Sequence, residues 1–143
     1  MGDSVAPEQR SLNMSLIRSR NTRPEVSVRS ILHRMGFRFR NNVKKLPGRP
    51  DIVLPKYRAV IFVNGCFWHQ HAGCSRATVP KSHVDYWKKK LARNVERDCE
   101  HLESLTTDNW RVMTVWECEI SSSVELGRRL AEFIVSRRSP ASE

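Results

Sequence analysis

The chain has 143 residues, 39% of them hydrophobic, with 25 Lys+Arg against 15 Asp+Glu and a formal net charge of +10 at pH 7. That length suits one domain burying about 70% of its unfolded surface, and the positive excess points to a polyanion such as nucleic acid, bound through counterion release at phosphates. No apolar run approaches the ~20 residues of a membrane helix, and the opening MGDSVAPEQR lacks the apolar centre of a signal peptide, so a cytoplasmic protein is expected, nucleoid-associated if its polyanion is DNA.

Residues 1–10 are expected to be flexible, 11–136 to form one domain and 137–143 a polar tail. SLNMSLIRSR, from Ser11, suits a short basic helix carrying Met14. Thr22-Arg23-Pro24-Glu25 fits a capping box, after which Val28, Ile31, Leu32 and Met35 repeat at i, i+3, i+4, i+7 until Gly36 stops the helix. Phe37 to Arg40 alternates apolar and basic residues, as a half-buried strand does. The turn Pro47-Gly48-Arg49-Pro50 delivers Asp51 to the apolar run Ile52-Val53-Leu54. A continuous apolar stretch, Ala59 to Val63, reads as a buried strand broken at Asn64-Gly65. Strand, short turn and strand imply an antiparallel pair, which places Asp51 beside the loop that follows Gly65. A long helix over 82–106 is predicted, with Leu91, Val95, Leu102 and Leu105 inside and Lys88, Lys89, Lys90, Arg93 and Arg97 making its early half basic. A further strand runs from Trp110 to Trp116, and a last helix carries Leu126, Leu130, Phe133 and Ile134. The order α-α-β-β-β-α-β-α describes an α/β domain with a small mixed central sheet flanked by helices.

The loop after Gly65 concentrates the chemistry. Cys66, His71 and Cys74, with Cys118 at the end of another strand, suit tetrahedral structural zinc; the alternative is a set of buried thiols. Reduced thiols are the rule in the cytosol, so disulfides are not expected. His69 could replace His71 as ligand, and is otherwise free for proton chemistry. Cys99, in mid-helix, reads as structural. Asp51 on its rigid turn fits a magnesium ligand for phosphodiester hydrolysis, or alternatively an aspartate capping turn amides. Glu25 has its capping-box role. Phe67 and Trp68, with Trp87 at the head of the basic helix, fit wedges that unstack base steps, or alternatively core packing; since neighbours in sequence do not easily face one core, at least one is expected to be exposed.

LPGRPD (Leu46–Asp51), VIFVNGCFWHQH (Val60–His71), NVERD (Asn94–Asp98) and WRVMTVWEC (Trp110–Cys118) resemble the very short patch repair (Vsr) endonucleases over roughly residues 11 to 135. The resemblance implies a monomeric domain related to type II restriction endonucleases. It would nick DNA 5′ of the thymine in T:G mismatches left by deamination of 5-methylcytosine, in cells holding a cognate cytosine methyltransferase and mismatch-repair proteins. It also implies that Asp51 and the backbone carbonyl of Val63 bind Mg2+, that His69 is the general base, and that Glu25 supports it. By the same resemblance Cys66, His71, Cys74 and Cys118 hold Zn2+, and Phe67, Trp68 and Trp87 intercalate, with Met14 entering from the opposite groove. Lys90 and Asn94 match DNA-contacting positions. Val63 stands where the family often has threonine, Asn64 where it often has histidine, and the Glu-x-Lys pair of restriction folds is missing, a job that falls to His69.

Two other readings are a restriction-type endonuclease acting on unmismatched duplex and a non-catalytic, zinc-stabilised DNA-binding protein. A binding protein needs neither Asp51 on a rigid turn nor a spare histidine beside a metal.

Overall fold

The structure is a computed structural model that describes residues 22–136. The expected helix over 11–20 with Met14, and the segments 1–10 and 137–143, lie outside the described residues.

Helix α1, Arg23–Arg34, begins as its sequence dictates: the Thr22 hydroxyl accepts the Glu25 N–H at 3.4 Å and the Glu25 carboxylate accepts the Thr22 N–H at 3.4 Å. Val28, Ile31 and Leu32 are buried, and Gly36, at φ +86°, supplies the left-handed residue that ends the helix. Met35, expected on the same face, is exposed because it is the C-cap, where the chain is already leaving the helix. The half-buried strand expected over Phe37–Arg40 shrinks to β1, Arg40–Asn41, with both residues exposed. The Phe37 N–H caps the Leu32 carbonyl at 3.1 Å, so it has no ladder bond to give; Phe37 and Phe39 still lean on the core.

Strands β2 (Ile52–Leu54) and β3 (Ala59–Asn64) pair antiparallel, Ile52 opposite Ile61, across a 3-10 turn at Pro55–Tyr57. Strand β4 (Arg111–Trp116) runs parallel to β3 from Ala59 opposite Arg111 to Asn64 opposite Trp116. A parallel neighbour needs a crossover, and helix α2 (Val84–Thr107) provides it. Helix α3 (Ser123–Ser136) ends the described chain, and the mixed sheet has the order β1-β2-β3-β4.

Alternation along the strands sorts the core into two layers. Ile52, Leu54, Ala59, Ile61 and Val115 face one way and pack with Val28, Ile31 and Leu32 of α1 and with Leu126, Leu130 and Ile134 of α3. Val53 and Val60 face the other way, toward Leu105 of α2 and Trp110. Each such side chain contributes about 1.5–3 kcal/mol by leaving water. Arg111 is buried and spends its guanidinium on the carbonyls of Phe133, Ile134 and Tyr57, at 2.5, 3.0 and 2.9 Å. Two of those carbonyls lie in the last turn of α3, where helix carbonyls run out of backbone donors and a cation is favoured; the Ser136 hydroxyl also donates to the Phe133 carbonyl, at 3.2 Å.

Helix α2 departs from expectation. Leu91 and Leu105 are buried, but Val95 and Leu102 are 38% and 48% exposed. Leu105 packs under the sheet and Leu91 under the loop after β3, and the stretch between them borders an open cleft instead of a core.

Candidate active site and metal centre

The parallel strands β3 and β4 end at one edge of the sheet, and the antiparallel β2 begins there. This is where α/β sheets leave a crevice. A cleft of about 640 Å³ opens at that edge, against α2, and Glu25, Asp51, Val63, His69, Asp98 and Trp116 are among its lining residues.

Its acidic side is set by the sheet. The turn before β2 brings Asp51 across from the end of β3, where Asp51 Oδ2 accepts the Val63 N–H at 2.6 Å. Glu25 is 4% exposed; its Oε1 is engaged by Thr22, while its Oε2 is buried without a hydrogen-bond partner among the described residues. Burial pushes the Asp51 carboxyl up to about 7 against the pull of the Val63 amide, and the Glu25 charge pushes the same way while Arg29 opposes it. Two neighbouring carboxylates, one with an orphaned buried oxygen, are the donor set a hard divalent cation satisfies. The capping-box role of Glu25 and its place in the cleft coexist, because they use different oxygens.

The opposite side is residues 65–83, a segment without helix or strand. Cys66, His71, Cys74 and Cys118 converge there, with all ligand atoms within 4.8 Å of one another. His71 Nδ1 lies 3.7 Å from Cys66 Sγ and 3.5 Å from Cys118 Sγ. Tetrahedral zinc, with Zn–S about 2.3 Å and Zn–N about 2.0 Å, sets S and N roughly 3.5 Å apart, so the four residues fit such an ion. His71, not His69, supplies the imidazole. Its ring stacks on Trp116, with centroids 4.2 Å apart and an 8° interplanar angle, which fixes its plane. The Cys66 N–H donates to Glu117 at 3.1 Å. Burial pushes the Cys66 thiol up to about 11, whereas the Arg76 backbone amide draws the Cys74 thiol below its usual value. A cation among them would hold all three as thiolates.

His69, three residues after Cys66, faces the cleft instead. Its Nδ1 lies 2.6 Å from Asp98 Oδ2. With Asp98 as acceptor, Nδ1 carries the proton and Nε2 keeps a free lone pair, the arrangement of an oriented base. Asp98 is the functional candidate that sequence reasoning missed. It stands in the NVERD motif, four residues after Asn94, and that helical spacing put both on one face toward the loop. Asn94, expected at DNA, donates its side-chain amide to the Trp68 carbonyl at 3.1 Å and so holds the loop to α2. Lys90 is half-buried on the same helix.

The aromatics depart from the expected exposure. Trp68 and Trp87 are buried, at 8% and 2%, and Phe67 is half-buried. The three rings pack on one another with centroids 5.1 to 5.9 Å apart, over Leu91. An irregular loop can turn two consecutive side chains toward one helix, which a strand cannot. Cys99, read as structural, is exposed at the cleft rim.

The sequence model of a family described as DNA mismatch endonuclease Vsr matches residues 2–76. The chain is 48% identical over 134 residues to "Type II nicking enzyme V.XorIIP" of Xanthomonas oryzae pv. oryzae, covering 94% of this chain and 98% of the relative. It is 41% identical over 134 residues to "Type II nicking enzyme V.NmeAIP" of Neisseria meningitidis, covering 94% and 95%. It is also 41% identical over 126 residues to "DNA mismatch endonuclease Vsr" of Escherichia coli, covering 88% and 80%.

Proposed function

The chain belongs to the Vsr DNA mismatch endonuclease family, and from that premise we propose that it is a magnesium-dependent enzyme nicking duplex DNA 5′ of the thymine in T:G mismatches left by 5-methylcytosine deamination. The observation that carries this reading is the meeting, in one cleft, of the Asp51–Glu25 carboxylates and the His69–Asp98 pair.

Asp51 and the Val63 carbonyl would hold Mg2+, with Glu25 beside them; when bound, the ion supplies charge stabilisation at the phosphoryl oxygens. Cation and proton compete for Asp51, so cation binding weakens as pH falls through about 7. His69 Nε2 takes the proton from the attacking water, and Asp98 keeps the imidazole in the tautomer able to do so. Cys66, His71, Cys74 and Cys118 would hold a structural Zn2+ that fixes the base of the loop carrying His69. The half-buried Phe67 would enter the base stack beside the mismatch first, and Trp68 and Trp87 would follow only as their buried cluster opens. Lys90 and its basic neighbours hold flanking phosphates. The net charge of +10 supports such a partner.

The test compares T:G and C:G duplexes, with and without magnesium, for wild type and Asp51→Ala. We expect magnesium-dependent nicking of the T:G duplex alone, abolished in Asp51→Ala with mismatch binding nearly intact. Wild-type nicking by Asp51→Ala would overturn the site. Equal cutting of both duplexes would favour a restriction-type nicking enzyme, and binding without cutting a non-catalytic protein.

A further inference from the structure

Asn94, Asp98 and His101 follow one another at i, i+4 and i+7 along α2, one face of a helix. Asn94 holds the Trp68 carbonyl and Asp98 holds His69, so the first two brace the metal-binding side of the cleft. His101 reaches the other side. Its ring and Cβ lie against Gly48 so closely that a Cβ on Gly48 would come within 2.9 Å of His101 Nδ1 and 3.0 Å of its Cβ and Cγ. Gly48 belongs to the turn that delivers Asp51, and that turn is strained: Gly48 at φ +75° is followed by Arg49 at φ +48°. A non-glycine residue in that region is strained and persists only where surrounding contacts over-determine it. Below the turn, the residue that follows β1 supplies such a contact, since the Asn42 N–H donates to the Asp51 carbonyl at 3.0 Å. Above it, His101 stands against the backbone of the strained turn itself.

We propose that His101 is a positioning residue for Asp51: by seating on Gly48 it fixes the Asp51 carboxylate relative to the face of α2 that orients His69. This rests on the reading of Asp51 as the magnesium-binding carboxylate. It makes α2 the common reference for both halves of the site, and it explains why the turn needs glycine at position 48 on two counts, its φ and the missing Cβ.

The experiment measures Mn2+ binding to the DNA-free protein from the free-ion electron paramagnetic resonance signal, together with the magnesium dependence of nicking. His101→Ala is expected to weaken both apparent metal constants about 10-fold, within the 10- to 100-fold range of lost metal-supporting contacts, at unchanged mismatch affinity. His101→Phe, which keeps a ring against Gly48 without its nitrogens, should return them to within about threefold of wild type. Gly48→Ala should weaken them too, and less than additively with His101→Ala, because the two changes break one contact. Unchanged metal constants in His101→Ala, or fully additive effects, would overturn the proposal. So would His101→Phe behaving like His101→Ala, because the imidazole nitrogens would then act directly. Asp51→Ala serves as the control: if it still binds Mn2+ and nicks as wild type, the reading of Asp51 fails first, whereas a required Asp51 with an indifferent His101 sinks only this inference.

Discussion

Asp51 and His69 face one cleft from regions of opposite construction. Asp51 stands at the start of β2, a strand whose three residues are all buried and whose neighbours on both sides belong to the ladder. Its surroundings are held by two layers of aliphatic packing between α1, α3, the sheet and α2. His69 stands in residues 65–83, which have no helix or strand and pack only a small aromatic cluster against α2. There the order comes from discrete polar ties: the Cys/His cluster, Asn94 to Trp68, and Asp98 to His69. Apolar burial is spread over many contacts and survives the loss of one, whereas a segment held by a few specific bonds depends on each of them. The Asp51 half is built by the fold, and the His69 half by its polar ties.

The largest effect should come from breaking those ligands. Structural zinc contributes on the order of 10 kcal/mol to the folding of the unit it closes. Purified protein should carry about one zinc, and Cys118→Ser or chelation should lose it. Amide exchange should then rise throughout residues 65–83 while Ile52–Leu54 and Ala59–Val63 keep most of their protection. A metal-free protein with the wild-type melting curve and exchange pattern would show that the loop does not depend on the cluster.

A smaller effect should separate the base from its support. His69→Ala should lower single-turnover nicking roughly 10²–10⁴-fold, the scale of a lost general base. Asp98→Asn, which keeps the size but not the charge, should lower it by no more than His69→Ala does, with an unchanged melting midpoint. If Asp98→Asn nicks at the wild-type rate, the 2.6 Å contact only anchors the loop.

The smallest and most selective effect concerns the aromatic cluster. Base stacking on an aromatic ring is worth about 1–3 kcal/mol, and a poorly stacked T:G wobble admits a wedge at lower cost than T:A. Trp68→Ala should therefore lower the ratio of T:G to T:A nicking more than it lowers DNA affinity at fixed salt, and Lys90→Ala should do the reverse. Should Trp68→Ala keep the wild-type ratio, its burial at 8% exposure reflects a core role and nothing more.

The sequence determined by itself what depends on local spacing. The Thr22–Glu25 capping box, the 3.6-residue rhythm of Val28, Ile31 and Leu32, and the β2–β3 hairpin with Asp51 next to the end of β3 all form as read, because near neighbours in the chain decide them. The Cys66/His71/Cys74/Cys118 set was legible too, since three of its members fall within nine residues and their side chains have few other uses. Only the tertiary structure decided the rest. Whether Trp68 faces solvent, whether Val95 and Leu102 face a core, and which acid meets His69 depend on how a crossover helix lies over an irregular loop. Periodicity gives each helix a face but not the neighbour that face meets. That neighbour is fixed only when β3, α2 and β4 close around one another, and closure is what brings Asp98 and His101 to the lining of the cleft.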